Sequence, residues 1–155
     1  MSDRHSEDEF IEKMGLFFEK SSRFPRIAGK IFAFLLISDP PEQTAGQICE
    51  RLLIAKSSVS TMMSLLVRGH VVEELTRPGE RPVYYRLKKG GWEEMFLLKL
   101  QSMTAIRSLL KEGKVVLDGK DPELAARIED LDGLYAFLEA EIPVLIEKWK
   151  DSRRP

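Results

Sequence analysis

From Lys56 to Arg68 the chain reads KSSVSTMMSLLVR, with four hydroxyls (Ser57, Ser58, Ser60, Thr61) crowded ahead of an apolar run. Serine and threonine compete with the helical backbone for hydrogen bonds and favour caps and turns over helix interiors. If the stretch is nevertheless helical, Val59, Met62, Met63 and Leu66 share an inner stripe. Lys56, Ser57, Ser60, Thr61, Ser64 and Arg68 then lie on or near the opposite face. Hydroxyls and a lysine near a helix N-terminus suit phosphate oxygens and base edges, and the helix dipole adds to the attraction for anions. The plainer alternative is that they cap the helix and face water. Downstream, Arg77 and Arg81 flank a Pro-Gly turn, where the alternative to an anion contact is an exposed surface arginine.

Other chemistry is poorly represented. There is no Ser/His/Asp constellation, no phosphate-cradling glycine loop and no paired histidines, so the chain does not read as an enzyme. His5 and His70 lie far apart without ligand spacing, and the single Cys49 excludes an internal disulfide and a Cys-based zinc site. Neither a metal nor another cofactor is expected.

Charge is distributed unevenly. Between Arg51 and Gly91 there are eight Lys/Arg (Arg51, Lys56, Arg68, Arg77, Arg81, Arg86, Lys88, Lys89) against Glu73, Glu74 and Glu80, a net of +5. The whole chain carries −1, so the remainder carries −6. A basic patch on a mildly acidic protein is the electrostatic footprint expected of DNA binding, although a solvated charged surface would look the same.

The surrounding elements must position these side chains. Glu7 to Lys20 places Phe10, Met14, Phe17 and Phe18 at helical spacing with Ile11 beside them. RIAGKIFAFLLI, residues 26–37, is apolar nearly all round and reads as a buried helix ended by SDPP. Thr44 and Gln47 make a capping box for the next helix, with Ala45, Ile48, Cys49 and Leu52 on its inner face. Cys49 there reads as a small core residue, with a redox sensor as the alternative. The hydroxyl-rich helix follows and ends at Gly69, a suitable C′ residue. VVEEL and VYYRL then make a hairpin around TRPGERP.

The remainder is helical: a long pattern from Trp92 to Leu110, then a helix opened by Asp121 and Pro122 and interrupted by Pro143, with PVLIEKWK as a last helix. The stripes Trp92, Phe96, Leu100, Met103 and Leu131, Leu134, Leu138 exceed what a core of roughly 65 residues can cover, and dimerisation would absorb them.

At 155 residues, with 43% hydrophobic and 32% charged residues, this is expected to be one soluble domain. No apolar run approaches the ~20 residues that span a bilayer, so no membrane partner is expected. The polar start MSDRHSEDEF has no signal-peptide core, which points to the cytoplasm. Two short helices, the second polar outside, followed by an arginine-bearing hairpin, make the order of a winged helix-turn-helix, whose second helix enters the major groove. The expected architecture is mainly α with a small β-hairpin wing. The winged helix-turn-helix core spans 24–90, and dimerisation helices flank it at 5–22 and 91–150. Candidate DNA contacts are Lys56, Ser57, Ser58, Ser60, Thr61, Ser64, Arg68, Arg77 and Arg81, with Thr44 at the head of the preceding helix. A winged-helix module that binds protein without specific DNA binding is the alternative; a steep salt dependence on heparin would argue against it.

The segment EKSSRFPRIAGKIFAFLLISDPPEQTAGQICERLLIAKSSVSTMMSLLVRGHVVE resembles the MarR superfamily of bacterial transcriptional regulators, and within it the GbsR-type branch. The motifs that carry the likeness are PRIAGKI, DPPEQTAGQI, KSSVS and the wing PGERPVYYR, and it extends to AFLEAEIPVLIEKW. The resemblance implies a homodimeric repressor or activator on double-stranded DNA. Its first and last helices make the dimer, its recognition helix reads the major groove, and its wing reaches the minor groove.

Two positions depart from the pattern. Ala55 stands where a Ser or Thr cap is usual, at a cost of about 1 kcal/mol unless Ser57 or Ser58 caps a new first turn. Leu65 stands where a polar residue is common. The resemblance also implies a small-molecule effector between dimerisation helices and core. Phe17, Phe18, Trp92 and Phe96 would supply aromatic faces for a hydrophobic or choline-like compound, ordinary core packing being the alternative.

Overall fold

The computed structural model describes residues 2–21 and 24–155, apart from the side chains of Ser2, Asp3, Trp92, Met95, Phe96, Leu98 and Lys99. The elements in chain order are α1 (Ser2–Ser21), α2 (Arg26–Ile37), β1 (Gln43–Thr44), α3 (Ala45–Leu52), α4 (Lys56–Arg68), β2 (Val72–Leu75), β3 (Tyr84–Leu87), α5 (Gly91–Val116) and α6 (Pro122–Ser152). They form two compact units, residues 1–92 and 93–155. The mainly helical architecture with a small β wing is as the sequence leads one to expect.

In the first unit α2 is the central element, packed against by α1, α3, α4 and β3. Its apolar run explains this: Ala28, Ile31, Phe32, Ala33, Phe34 and Leu35 are all buried, Ile27 is half-buried, and the final Leu36 and Ile37 are exposed. α1 crosses α2 at a pair of glycines. A Cβ on Gly29 would stand 2.7 Å from the Cβ of Phe18 and 3.0 Å from the Cα of Gly15, so the two backbones approach as only glycine permits.

That crossing divides the aromatic stripe expected on α1. Ile11 and Phe18 turn inward, and Phe18 packs against the rings of Phe24 and Phe32 at centroid distances of 5.9 and 5.3 Å. Phe10, Met14 and Phe17 instead line an open apolar groove with Lys13, and Phe17 is 61% exposed. Phe17 and Phe18 are sequence neighbours about 100° apart around a helix, so one core face cannot take both.

Thr44 caps α3 as its spacing predicts. Its Oγ1 accepts from Gln47 N at 3.2 Å while its own N–H donates to Gln47 Oε1 at 2.7 Å. Ile48 and Leu52 are buried under α3, whereas Cys49 is only half-buried, a correction to its reading as core. α4 buries Val59, Met63 and Leu66, leaving Met62 half-covered. The helix ends differently from the expectation at Gly69, which is the C-cap at φ −77°. His70 takes the left-handed C′ position at φ 59°, donating to Val67 O while Val71 N–H donates to Leu66 O. That bond pair is a Schellman ending displaced by one residue.

The hairpin forms with Val72 opposite Leu87, Glu73 opposite Arg86, Glu74 opposite Tyr85 and Leu75 opposite Tyr84. Its tip closes by Glu80 N–H donating to Arg77 O at 3.0 Å, with Gly79 at φ 80°, the backbone a Pro-Gly turn demands at that position. The two-residue β1 was not expected from the sequence. It adds to the free edge of β3, giving the sheet order β1-β3-β2.

In the second unit, α5 is longer than its apolar pattern indicated, reaching Val116. Asp121 caps α6 as expected, accepting from Glu123 N–H at 3.0 Å with Pro122 at the first turn. The predicted interruption at Pro143 does not occur: α6 continues through it to Ser152. Proline removes one backbone donor, a local loss that a long helix can carry. α5 and α6 are tied by Arg107, whose Nε reaches Asp132 at 2.9 Å and whose Nη1 reaches Glu139 at 2.6 Å. Both carboxyls are held below their ordinary range, Asp132 by Arg107, and Glu139 by the Thr104 hydroxyl first and Arg107 second.

Candidate nucleic-acid interface

α4 begins at Lys56 behind Ala55, which offers no side-chain cap. The capping role considered for Ser57 and Ser58 is not taken up, for neither side chain makes a hydrogen bond among the described residues. The first-turn N–H groups of α4 are therefore left for an external acceptor, under the positive end of the helix dipole. α3 presents the opposite case two turns earlier, with both capping bonds made internally by Thr44 and Gln47. Thr44, a candidate contact, thus already has structural work for its hydroxyl.

Lys56, Ser57, Ser60, Thr61, Ser64 and Arg68 are all exposed on the face of α4 away from α2, and Ser58 is half-buried at the edge of that face. Three of these side chains bond back to their own helix. Thr61 Oγ1 donates to Ser57 O at 3.0 Å, Ser64 Oγ to Ser60 O at 3.1 Å and Arg68 Nε to Ser64 O at 3.3 Å. A hydroxyl whose hydrogen is engaged in this way turns its lone pairs outward, so Thr61 and Ser64 present acceptors. Ser57 and Ser60 keep donor and acceptor both available. Leu65, the second departure from the family pattern, is half-buried and adds nothing polar.

Beside the head of α4 is a cleft of ≈450 Å³ lined by Thr44, Ala45, Gly46, Cys49, Lys56, Pro82, Val83 and Tyr85. It sets the heads of α3 and α4 against the base of the wing and explains the partial exposure of Cys49. Tyr85 at its edge has its phenol pKa raised, by burial first and by Glu74 second.

The basic segment divides once its ion pairs are known. Arg51 is held by Asp8 at 2.6 Å and Glu7 at 3.0 Å, both on α1. Arg86 is held by Glu73 at 2.6 Å and Glu42 at 3.2 Å, and Arg77 lies 3.5 Å from Glu42. Lys56, Arg68, Arg81 and Lys89 have no carboxylate partner among the described residues. Glu7, Asp8 and Glu42 lie outside the segment that sums to +5, so simple counting overstated the outward charge there. No short-range pattern marks Glu42, which is 35 and 44 residues from the arginines it meets.

Of the aromatics considered for an effector, Phe18 is core and Phe17 faces solvent. The side chains of Trp92 and Phe96 lie outside the described residues, as does any arrangement of the four. No group of three or more metal-ligating side chains occurs among the described residues, and none of their helices is long and apolar enough to cross a membrane.

The family model for MmpR5-like MarR family transcriptional regulators matches residues 90–152, which is to say α5 and α6. The HTH-type transcriptional regulator MmpR5 of Mycobacterium tuberculosis (strain ATCC 25618 / H37Rv) is 28% identical over 131 residues, covering 84% of this chain and 79% of that protein. A crystal structure of a transcriptional regulator is similar in fold, with a TM-score of 0.77 and 24% identity over 94% of this chain and 99% of its own. The α5–α6 segment is thus similar to MmpR5-like MarR family transcriptional regulators, and the chain as a whole is similar in fold to a solved transcriptional regulator.

Proposed function

We propose that the protein is a sequence-specific DNA-binding transcriptional regulator that acts as a homodimer on an inverted repeat. The observation that carries this reading is the outer face of α4: an uncapped N-terminus with Lys56, then Ser57, Ser60, Thr61, Ser64 and Arg68 exposed in line. Lys56 and the free N–H groups suit a phosphate, and the hydroxyls suit base edges, where Ser and Thr can serve either partner. Arg81 at the wing suits the minor groove, whose negative potential favours arginine. Half-sites would be centred one helical turn apart, about 34–36 Å.

Homodimerisation is supported by apolar side chains left open in each unit: the Phe10–Met14–Phe17 groove on α1, and Leu134, Phe137, Leu145 and Trp149 on α6. The working division is the winged-helix core at 24–90 flanked by dimerisation elements at 5–22 and 91–150. A hydrophobic or choline-like effector, and membership of the GbsR-type branch, are finer parts of the same reading. They rest on the aromatic residues and motifs of the sequence; of the two whose side chains are described, Phe17 is exposed and Phe18 is buried.

Selection from random duplexes tests the reading directly. Enrichment of an inverted repeat is expected, and enrichment of no motif would overturn it in favour of a protein-binding module. Lys56→Ala should weaken binding to all duplexes alike, while Ser60→Ala with Thr61→Ala should reduce discrimination between sites.

A further inference from the structure

The two arginines that flank the wing tip are in different states. Arg81 has no ion-pair or hydrogen-bond partner among the described residues. Arg77 is engaged: its guanidinium lies 3.5 Å from Glu42 Oε2 and 3.9 Å from the centroid of the Tyr84 ring. The Tyr84 hydroxyl in turn donates to Glu80 at 2.6 Å. The other oxygen of Glu42 takes Arg86 Nη1 at 3.2 Å, and Arg86 Nε reaches Glu73 at 2.6 Å. Glu42 stands immediately before β1, and the pairing of β1 with β3 brings it to the wing. It belongs neither to the recognition helix nor to the hairpin.

To a guanidinium, a carboxylate and a phosphate offer the same thing, a pair of anionic oxygens. The Arg77 side chain is 46% exposed and that of Glu42 24%, so burial does not lock the pair, and an exposed pair of this length is weak. If Arg77 leaves, Glu42 still has Arg86, so no carboxylate is stranded and the sheet need not move. We infer that Glu42 is a built-in competitor for the phosphate that Arg77 would otherwise hold, and that it thereby sets the affinity and salt dependence of the wing. The inference rests on the DNA-binding reading above. Its consequence is an asymmetry: Arg81 contributes its full counterion release, while Arg77 contributes only what remains after displacing Glu42.

The test uses the full chain and a fluorescent duplex, with affinity measured across a range of salt. Glu42→Gln should bind about 3–10-fold tighter at low salt and steepen the slope of log K against log salt by roughly one per wing engaged. Glu42→Asp keeps the charge but withdraws it by one methylene. It should also bind tighter, which a general loss of negative charge does not explain. In an Arg77→Ala background the Glu42→Gln gain should vanish. Unchanged or weaker binding by Glu42→Gln, or a gain that survives Arg77→Ala, overturns the inference while leaving DNA binding intact. Failure of the unaltered protein to bind any duplex overturns both readings. Should Glu42→Gln not fold, the single variants decide: Arg77→Ala must cost less affinity than Arg81→Ala, and the reverse order refutes the competition.

Discussion

Gly29→Ala tests the packing that holds the two leading helices together. Elsewhere in an exposed helix interior this change would stabilise by roughly 1 kcal/mol through backbone entropy. At this crossing the new methyl would lie 2.7 Å from Phe18 Cβ, 2.9 Å from Phe18 Cγ and 3.0 Å from Gly15 Cα. Gly15 Cα and Phe18 Cβ are both fixed by the backbone of α1, so α1 must shift away from α2 and carry Phe18 with it. Phe18 is 9% exposed and packs against Phe24 and Phe32, so its displacement loosens two aromatic contacts of about 0.5–1.5 kcal/mol each. Overpacking of this kind costs about 1–3 kcal/mol by itself. After the entropy gain, the expected net loss is about 1–5 kcal/mol, or roughly 2–20 °C in the melting midpoint for a chain of this size. Gly46→Ala is the matched control: its methyl meets only Thr44 Oγ1, at 3.8 Å. It should leave stability unchanged or raise it by up to about 1 kcal/mol. Thermal and urea unfolding without DNA measure both. A Gly29→Ala midpoint equal to or above that of Gly46→Ala would show that the α1–α2 crossing is not held at glycine distance.

Two further outcomes follow from strain and charge. Leu53 sits in the left-handed region at φ 54° and is 91% exposed, so Leu53→Gly sheds strain while losing little packing. A gain of about 0.5–1 kcal/mol in urea unfolding is expected, and a loss would mean the side chain is covered in the folded protein. Asp132 and Glu139 have their pKa values lowered from 3.8 and 4.5, so their contribution to stability is complete above those values and drains away as pH falls through the depressed ones. Arg107→Gln should therefore flatten the acid limb of the stability–pH curve below about pH 4.5 and leave its shape near neutrality unchanged. An acid limb of unchanged steepness would show that Arg107 does not depress Asp132 or add to the effect of Thr104 on Glu139.

Much of the fold was legible because its signals are local. The Thr44–Gln47 capping box, the Asp121–Pro122 start and the Pro-Gly turn each involve groups within a few residues of one another, and their geometry follows from residue type. The apolar run of α2 needs burial on nearly every side whatever surrounds it. The outer face of α4 was equally readable, since helical periodicity alone separates Val59, Met63 and Leu66 from Ser57, Ser60, Thr61 and Ser64.

What only the tertiary structure decided depends on residues distant in sequence. Periodicity put Phe10, Phe17 and Phe18 in one stripe, but the close crossing at Gly15 and Gly29 admits only Phe18 and turns the other two out. β1 is two residues long and exists because β3 offers it an open edge. α6 passes through Pro143 because the rest of a 31-residue helix sustains it. Charge shows the same division: the sequence determined which arginines the wing carries, but a glutamate brought in by β1 decided that Arg77 is paired while Arg81 has no partner among the described residues. A side chain's type and its near neighbours set what it can bind; which partner reaches it first is a property of the packed chain.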